Sequence, residues 1–205
     1  IWLIDVKGHA VMKFNKAGRL LMMITNAGKQ PGTNDTPYAF NEPTGIAFSP
    51  NGDFYVSDGY VNSRVVKFNK DGEYIRHWGS KGQGDGQFNL VHDVALDQQG
   101  HVYVADRTNE RIQIFDAAGK FLNKWTHAGA PWGLAFSAKE SALYMSDGKN
   151  NSVVKLNLNG EILGTLGSFW KVPGRLDFAH HIAVDSEGSI YVVEIKNWRV
   201  QKFAK

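Results

Sequence analysis

The chain has 205 residues, a formal net charge of +3 and no cysteine, which excludes disulfides and thiolate metal ligands. Lysine and arginine are spread along the chain rather than clustered, so we expect no nucleic-acid partner. No stretch approaches the ~18 consecutive apolar residues of a transmembrane helix, and we expect no membrane span. The absence of cysteine does not fix the compartment; we favour a secreted or periplasmic location over a cytoplasmic one.

Residues 41–78 contain the unit on which the chain is built. Four short apolar runs, rich in β-branched and aromatic residues, alternate here with turn signals of Gly, Asn and Asp. The runs are residues 45–48, 54–57, 64–68 and 74–78. This pattern predicts a four-stranded antiparallel meander. One such sheet cannot bury both of its faces, so copies must stack.

The same unit recurs along the whole chain. An acidic residue that ends the second strand returns every 41 to 53 residues, at Asp5, Asp58, Asp106, Asp147 and Glu194. Four strands in each unit of this length predict an all-β protein with the blades of a β-propeller. We expect one domain over residues 1–205, with repeats at about 1–40, 41–88, 89–129, 130–176 and 177–205.

The first and last repeats are incomplete in this pattern. The chain begins within a second strand at residues 1–5, continues with strands at 11–14 and 20–24, and then enters a long polar loop at 28–40. A glycine-rich connector follows at 79–87, and the last repeat stops after its third strand, at Phe203. We interpret these four and a half blades as part of a six-bladed ring lacking about a blade and a half on its N-terminal side. A five-bladed closure is the alternative.

Several polar residues recur at the same register, which indicates a scaffold role. The Asp that ends the second strand and an Asn shortly after it are expected to bond to backbone amides in turns. The Asn residues are Asn62, Asn109, Asn150 or Asn151, and Asn197. Three arginines also recur, and we expect them to connect neighbouring blades: Arg64, Arg111 and Arg199.

One register differs from copy to copy and indicates function. Three residues before the alanine of each first strand stand Thr44, His92, Trp132 and His180. Since the first strand of a propeller blade is innermost, this register faces the channel mouth. Two histidines thus lie in alternate blades. A third histidine in the next alternate blade, towards the N-terminus, would give a catalytic zinc three imidazoles and leave one coordination position open. The alternative is that they are hydrogen-bonded packing residues.

The other histidines do not share this register. His181 follows His180 directly, but the spacing to Ala183 selects His180 as the channel residue. We read the remaining ones as surface or packing residues: His9, His77, His101 and His127.

The turn after the second strand has two further unusual residues, Tyr60 and Arg107. They could simply pack or pair on the surface. Beside a cation at the channel mouth, they would instead form an acid–base and anion-binding pair. The cation and the guanidinium would then both lower the pKa of the Tyr60 phenol towards that of a usable base.

At these residues the chain resembles NHL-repeat propellers, and more narrowly the peptidyl-α-hydroxyglycine α-amidating lyases. The resemblance is carried by residues 2–6, 31–32, 43–44, 49–54, 58–64, 86–88, 91–92 and 106–113. It implies a zinc held by three histidines, of which His92 and His180 match two. It also implies Tyr60 as catalytic base, Arg107 as a substrate contact, and a small-molecule or peptide substrate at the channel mouth. The implied reaction splits a C-terminal α-hydroxyglycine into a peptide amide and glyoxylate.

The chain departs from this family at several positions. The first zinc histidine and another active-site arginine of the family would precede Ile1. His181 stands at the family's calcium-binding aspartate, which puts calcium in doubt, and Phe178 stands at a methionine of the substrate pocket. A non-catalytic NHL module that binds a protein or another ligand is therefore the competing hypothesis, because fold alone does not decide function. A metal-dependent hydrolase is a third, but the channel register offers no carboxylates for it.

Overall fold

The structure is a computed structural model and describes residues 1–26, 28 and 30–205. Within the predicted polar loop at 28–40, Lys29 lies outside the described residues. The strands are β1 (Trp2–Asp5), β2 (Ala10–Phe14), β3 (Leu20–Ile24), β4 (Pro43–Phe48), β5 (Phe54–Asp58), β6 (Arg64–Phe68), β7 (Tyr74–Trp78), β8 (Ser80–Lys81), β9 (Gln87–Phe88), β10 (Val91–Leu96), β11 (Val102–Asp106), β12 (Arg111–Phe115), β13 (Phe121–Trp125), β14 (Pro131–Ser137), β15 (Ala142–Asp147), β16 (Ser152–Asn157), β17 (Ile162–Leu166), β18 (Ala179–Val184), β19 (Ile190–Glu194) and β20 (Arg199–Phe203).

In the part of the chain that the structure describes, five antiparallel sheets follow one another in sequence order, as the repeats predict. Three are four-stranded, in the orders β4-β5-β6-β7, β10-β11-β12-β13 and β14-β15-β16-β17. The first and last are three-stranded, in the orders β1-β2-β3 and β18-β19-β20. We number these sheets blades 1 to 5. The prediction of an all-β propeller of four-stranded blades is confirmed, including the incomplete first and last repeats.

The glycine-rich connector between blades 2 and 3 contains a pair of short strands that the sequence does not predict. Here β8 and β9 form a short parallel pair, in which Ser80 lies opposite Gln87 and Lys81 opposite Phe88. The amide of Gly82 donates to the carbonyl of Phe88 at 3.0 Å. Strands of two residues have no periodic pattern, which is why the sequence does not reveal them.

The innermost strand of blades 2 to 5 carries an irregularity at one shared register. Pairing with the second strand shifts between Pro43 and Gly45, and likewise between Val91 and Asp93. The same shift occurs between Pro131 and Gly133 and between Ala179 and His181. The residue left out of each ladder is the channel-register residue: Thr44, His92, Trp132 or His180. A bulge residue is unpaired and can be re-aimed, so these bulges turn the register towards the channel.

Apolar side chains fill the spaces between neighbouring blades. Four buried clusters are formed, each joining residues of two adjacent sheets. Between blades 3 and 4, for example, Ile112 and Tyr103 pack with Leu143 and Met145. The inner strands β4, β10, β14 and β18 contact one another in series. Burial of these faces is the main force that holds the inner strands around a common channel.

The recurring aspartates hold turns, as predicted. The carboxylate of Asp58 accepts hydrogen bonds from the Asn41 amide, the Asn62 side chain and Arg64, each at 2.8 Å. The same bonds recur at Asp106, and in blade 4 it is Asn150 that bonds to Asp147. These acids are buried and fully partnered, which leaves them no catalytic part.

The recurring arginines do not connect neighbouring blades, and that prediction is wrong. Arg64 donates to the carbonyls of Asn34, Thr36 and Ala39, all in the connector that enters its own blade. Arg111 and Arg199 bind carbonyls of their own entering connectors in the same way. We call Arg64, Arg111 and Arg199 the arginine tethers. Blade 4 has Ser152 at this register, and its entering connector, residues 126–130, is short.

Within the described part of the chain, no helix has the length and apolar character needed to cross a membrane.

Candidate active site

His92 and His180 meet at the channel mouth. They occupy the bulges of β10 and β18, in blades 3 and 5, and their ring centroids are 4.6 Å apart. Trp132, at the bulge of the intervening blade, lies 5.3 Å from the His92 ring and 5.2 Å from the His180 ring. The register that sequence repetition singled out therefore does bring its two histidines together.

The hydrogen bonds of His92 fix its tautomer. Its Nδ1 lies 2.6 Å from the carbonyl oxygen of Trp132, which can only accept, so Nδ1 carries the proton. Its Nε2 is then an acceptor, and the Tyr60 hydroxyl donates to it at 3.1 Å. A neutral imidazole held through Nδ1, with the Nε2 lone pair available, is the form that binds metals.

Both histidines are neutral at neutral pH. The His92 side chain is buried, and this burial, with smaller contributions from the charges of His180 and His181, lowers the pKa of His92 to about 2. Burial and the charge of His181 lower the pKa of His180 to about 4. Desolvation disfavours the charged form, and each cationic neighbour adds to the effect.

Tyr60 lies against His92 but is not an acidic phenol in the metal-free protein. The two rings contact edge to face, with centroids 5.5 Å apart. Burial raises the pKa of Tyr60, and this outweighs the charge of Arg107, which acts in the lowering direction. Arg107 therefore acts on the pKa of Tyr60 in the direction expected from the sequence. The net pKa is nevertheless raised rather than lowered, because burial has the larger effect.

Arg107 forms the other side of the mouth with two aromatic rings. Its guanidinium carbon lies 4.2 Å from the Trp132 ring centroid and 5.9 Å from that of Tyr60. Trp132 in turn contacts Phe178 edge to face at 4.6 Å. A half-buried guanidinium stacked on an aromatic wall is oriented for an anion, since the ring faces hold it without neutralising its charge.

The channel register selects His180, but His181 also belongs to this cluster. Its ring centroid lies 4.6 Å from that of His180 and 5.3 Å from that of His92. Regular alternation would send neighbouring residues to opposite faces, but the bulge in β18 brings both rings to one side. The sequence does contain a signal: the residue after the channel register is Gly45, Asp93, Gly133 and His181 in successive blades.

Asp93, the residue after His92, is buried next to this cluster. Its Oδ2 accepts a hydrogen bond from the Leu134 amide of the next blade at 2.9 Å, and its Oδ1 accepts one from the Val94 amide at 2.9 Å. Burial raises the pKa of the Asp93 carboxyl, while the charge of His181 and these two amides act in the lowering direction. Asp93 thus connects blades 3 and 4 beneath the histidines.

The remaining histidines lie elsewhere and make local contacts. His9 accepts a hydrogen bond from the Glu42 amide, His77 contacts the Tyr74 hydroxyl, and His101 contacts Asp97. His127 bonds to the carbonyl of Gly160. In residues 1–26, 28 and 30–205, no three His, Cys, Asp or Glu side chains are arranged to hold a metal ion.

The fold and site together define an all-β propeller with a polar cluster at its channel mouth. The family model described as "6-bladed beta-propeller" matches residues 38–165, and the chain belongs to this family. It is 33% identical to NHL repeat-containing protein 3 from Homo sapiens, over 99% of the chain and 62% of that protein. It is 28% identical to peptidyl-alpha-hydroxyglycine alpha-amidating lyase 1 from Drosophila melanogaster, over 99% of the chain and 42% of that protein.

Solved structures support the fold. Virginiamycin B lyase from Staphylococcus aureus superposes with a TM-score of 0.67 at 15% identity, over 99% of this chain and 65% of that one. This likeness shows the architecture alone. The chain spans about 62% of the length of its human NHL relative.

Proposed function

We propose that the chain forms part of a zinc-dependent lyase that cleaves the carbon–nitrogen bond of an α-hydroxyglycine-type amide and releases glyoxylate. The observation that carries this proposal is the convergence of His92 and His180 beside the Tyr60 hydroxyl. Similarity at 28% identity to two proteins named as peptidyl-alpha-hydroxyglycine alpha-amidating lyases supports it.

His92 and His180 would hold the metal. Both are neutral donors, and His92 is already held through Nδ1, so the pair fits zinc. Two imidazoles are fewer than the three protein ligands usual for a catalytic zinc. The proposal therefore requires a further ligand besides His92 and His180. Bound zinc would act as a Lewis acid on the substrate hydroxyl. With His181 at the position where the family has an aspartate, we propose no role for calcium.

Metal loading would change the surroundings of Tyr60. In the metal-free protein its hydroxyl donates to Nε2 of His92, the nitrogen that would coordinate the metal. Once that nitrogen is engaged, the phenol loses this acceptor, while the charge of Arg107 continues to lower its pKa. The pKa of Tyr60 would therefore be lower with the metal bound, and more of the phenol would be present as the phenolate that can accept a proton.

The reaction assigns one role to each side chain. The Tyr60 phenolate would take the proton from the substrate hydroxyl as the carbon–oxygen bond becomes the carbonyl of glyoxylate. The carbon–nitrogen bond breaks with its electron pair on nitrogen, which takes up a proton to give the peptide amide. Arg107 would bind the substrate carboxylate, and the wall of Trp132 and Phe178 would shield this contact from water.

A non-catalytic NHL scaffold is the second candidate. The 33% identity to human NHL repeat-containing protein 3, a name that mentions no enzymatic activity, favours this candidate. In that case the histidine cluster would only pack and form hydrogen bonds at the channel mouth.

Activity of the zinc-loaded full-length protein on an α-hydroxyglycine peptide separates the two. Glyoxylate release is expected, with Tyr60→Phe reducing kcat by about 10²- to 10⁴-fold while zinc content is retained. Tyr38→Phe is the matched control, because Tyr38 is surface-exposed and its hydroxyl only accepts a hydrogen bond from the Tyr74 amide. His92→Ala should lose zinc. Zinc-loaded protein that releases no glyoxylate would favour the scaffold, and a fully active Tyr60→Phe variant would exclude Tyr60 as the base.

A further inference from the structure

We propose that His181 is a positioning residue that accepts a hydrogen bond from Nδ1 of His180 and thereby presents Nε2 of His180 to the channel. This inference rests on the proposed function, in which His180 binds a metal. It assigns a role to a residue that the channel register leaves out.

The contact between the two rings requires a single proton between them. Their Nδ1 atoms are 2.6 Å apart, a hydrogen-bond distance at which one nitrogen donates and the other accepts. Two accepting nitrogens would repel at this separation, and two protonated ones would clash. The tautomer of each ring is therefore coupled to that of the other.

His92 indicates which ring donates. Its Nδ1 donates to the Trp132 carbonyl, and its Nε2 is left as the acceptor. If His180 donates from Nδ1 in the same way, both bulge histidines present Nε2 lone pairs, and their ring centroids are already 4.6 Å apart. The reverse assignment would leave His180 with a proton on Nε2 and no lone pair for a metal.

The backbone of His181 packs closely against the neighbouring blade. Gly133 of the adjacent strand permits this approach, because a Cβ on it would lie 2.9 Å from the Cα of His181. A hydrogen-bond acceptor commonly orients a metal-binding histidine through its other nitrogen.

Two substitutions separate a positioning residue from a direct metal ligand. His181→Asn retains an acceptor near the position of Nδ1, whereas His181→Leu removes it. Zinc affinity of the full-length protein should fall by about 10- to 100-fold in His181→Leu and stay within about threefold of wild type in His181→Asn. His101→Leu, which removes a histidine far from the site, is the control.

Two results would overturn the proposal. Unchanged zinc affinity in His181→Leu would show that the hydrogen bond has no effect on His180. A loss in His181→Asn equal to that in His181→Leu would make His181 a ligand in its own right. Absorption spectra of the Co²⁺-loaded variants check the second result, because a lost ligand changes the d–d bands and a reoriented one leaves the ligand set intact.

A readout without metal keeps this inference separate from the proposed function. Nitrogen-15 NMR of the metal-free protein at neutral pH should show His180 protonated on Nδ1, and His181→Leu should shift the proton towards Nε2. If wild-type protein binds no zinc, the proposed function fails, and these spectra still decide the tautomer. A proton on Nε2 of His180 in wild type would refute the role assigned to His181.

Discussion

The arginine tethers and the channel register are neighbours in the sheet but behave in opposite ways. In blade 3, Asp106 pairs with Val91, and the next residue along the inner strand is the bulge residue His92. The acid–arginine pair repeats nearly unchanged in blades 2, 3 and 5, whereas the bulge carries Thr, His, Trp and His in blades 2 to 5.

The difference follows from how each residue is held. A tether arginine satisfies an ion pair and several connector carbonyls at once, so a change there leaves buried polar groups unpaired. A bulge residue has no partner in the ladder, so its side chain can change without altering the sheet. Repetition therefore marks what holds a blade together, and variation at the bulge marks where chemistry can be placed.

The largest effect is expected from removing a buried tether. Arg64→Met retains much of the side-chain volume but leaves Asp58 and three carbonyls without their donor, and Arg64 and Asp58 are both fully buried. We expect the free energy of unfolding to fall by about 3–5 kcal/mol, measured by urea denaturation. Arg199→Met should cost clearly less, because 24% of the Arg199 side chain is exposed. Equal losses in the two variants would contradict the importance of burial.

A smaller effect is expected at Gly133, the residue that follows the bulge of blade 4. An added Cβ would lie 2.9 Å from both the His181 Cα and the Ser146 Oγ, so blades 4 and 5 must shift. Gly133→Ala should lower the free energy of unfolding by about 1–3 kcal/mol and weaken zinc binding as well.

Gly164→Ala is the matched control for this substitution. A Cβ at Gly164 meets nothing within 4 Å, and the unfolding free energy should change by less than about 0.5 kcal/mol. A tolerated Gly133→Ala would mean that the inner strands are less closely packed than the contact distances indicate.

The smallest effect is expected in the pH dependence of stability, through the titration of the site histidines. His92 and His180 have pKa values lowered to about 2 and about 4, so the unfolded chain binds more protons than the folded one below the ordinary value of 6.5. Stability is therefore unaffected above pH 6.5 and falls as the pH drops through the window down to the folded values. Allowing for the partial exposure of His180, we expect its titration to lower the free energy of unfolding by about 1 kcal/mol between pH 7 and pH 5.

Urea unfolding of the metal-free protein at pH 5, 6 and 7 measures this loss. His180→Gln should show a shallower decline than wild type, because glutamine does not titrate. Parallel curves for the two proteins would show that the burial of His180 does not set the dependence.

Much of the fold can be predicted from the sequence because each strand is bounded by turn residues of specific chemistry. Asp58, Asp106 and Asp147 mark the second strands correctly, and the pairing of strands within each blade follows. The short β8 and β9 were missed because two residues cannot show alternation. The targets of the tethers were also missed, since a long side chain can reach either the next blade or its own connector.

The site is less predictable because it depends on departures from regular structure. Simple counting from Ala95 and Ala183 finds His92 and His180, since every copy has its bulge at the same register. It fails for His181, because strict alternation places neighbours on opposite faces and only the bulge brings both to one side. The pKa of Tyr60 depends on its burial, which no local pattern reports.

The hydrogen bond from the His92 ring to the Trp132 carbonyl spans the seam between blades 3 and 4. The orientation of this imidazole is therefore fixed by the neighbouring sheet rather than by its own. Any force that slides one sheet past the other must tilt the ring or break the bond.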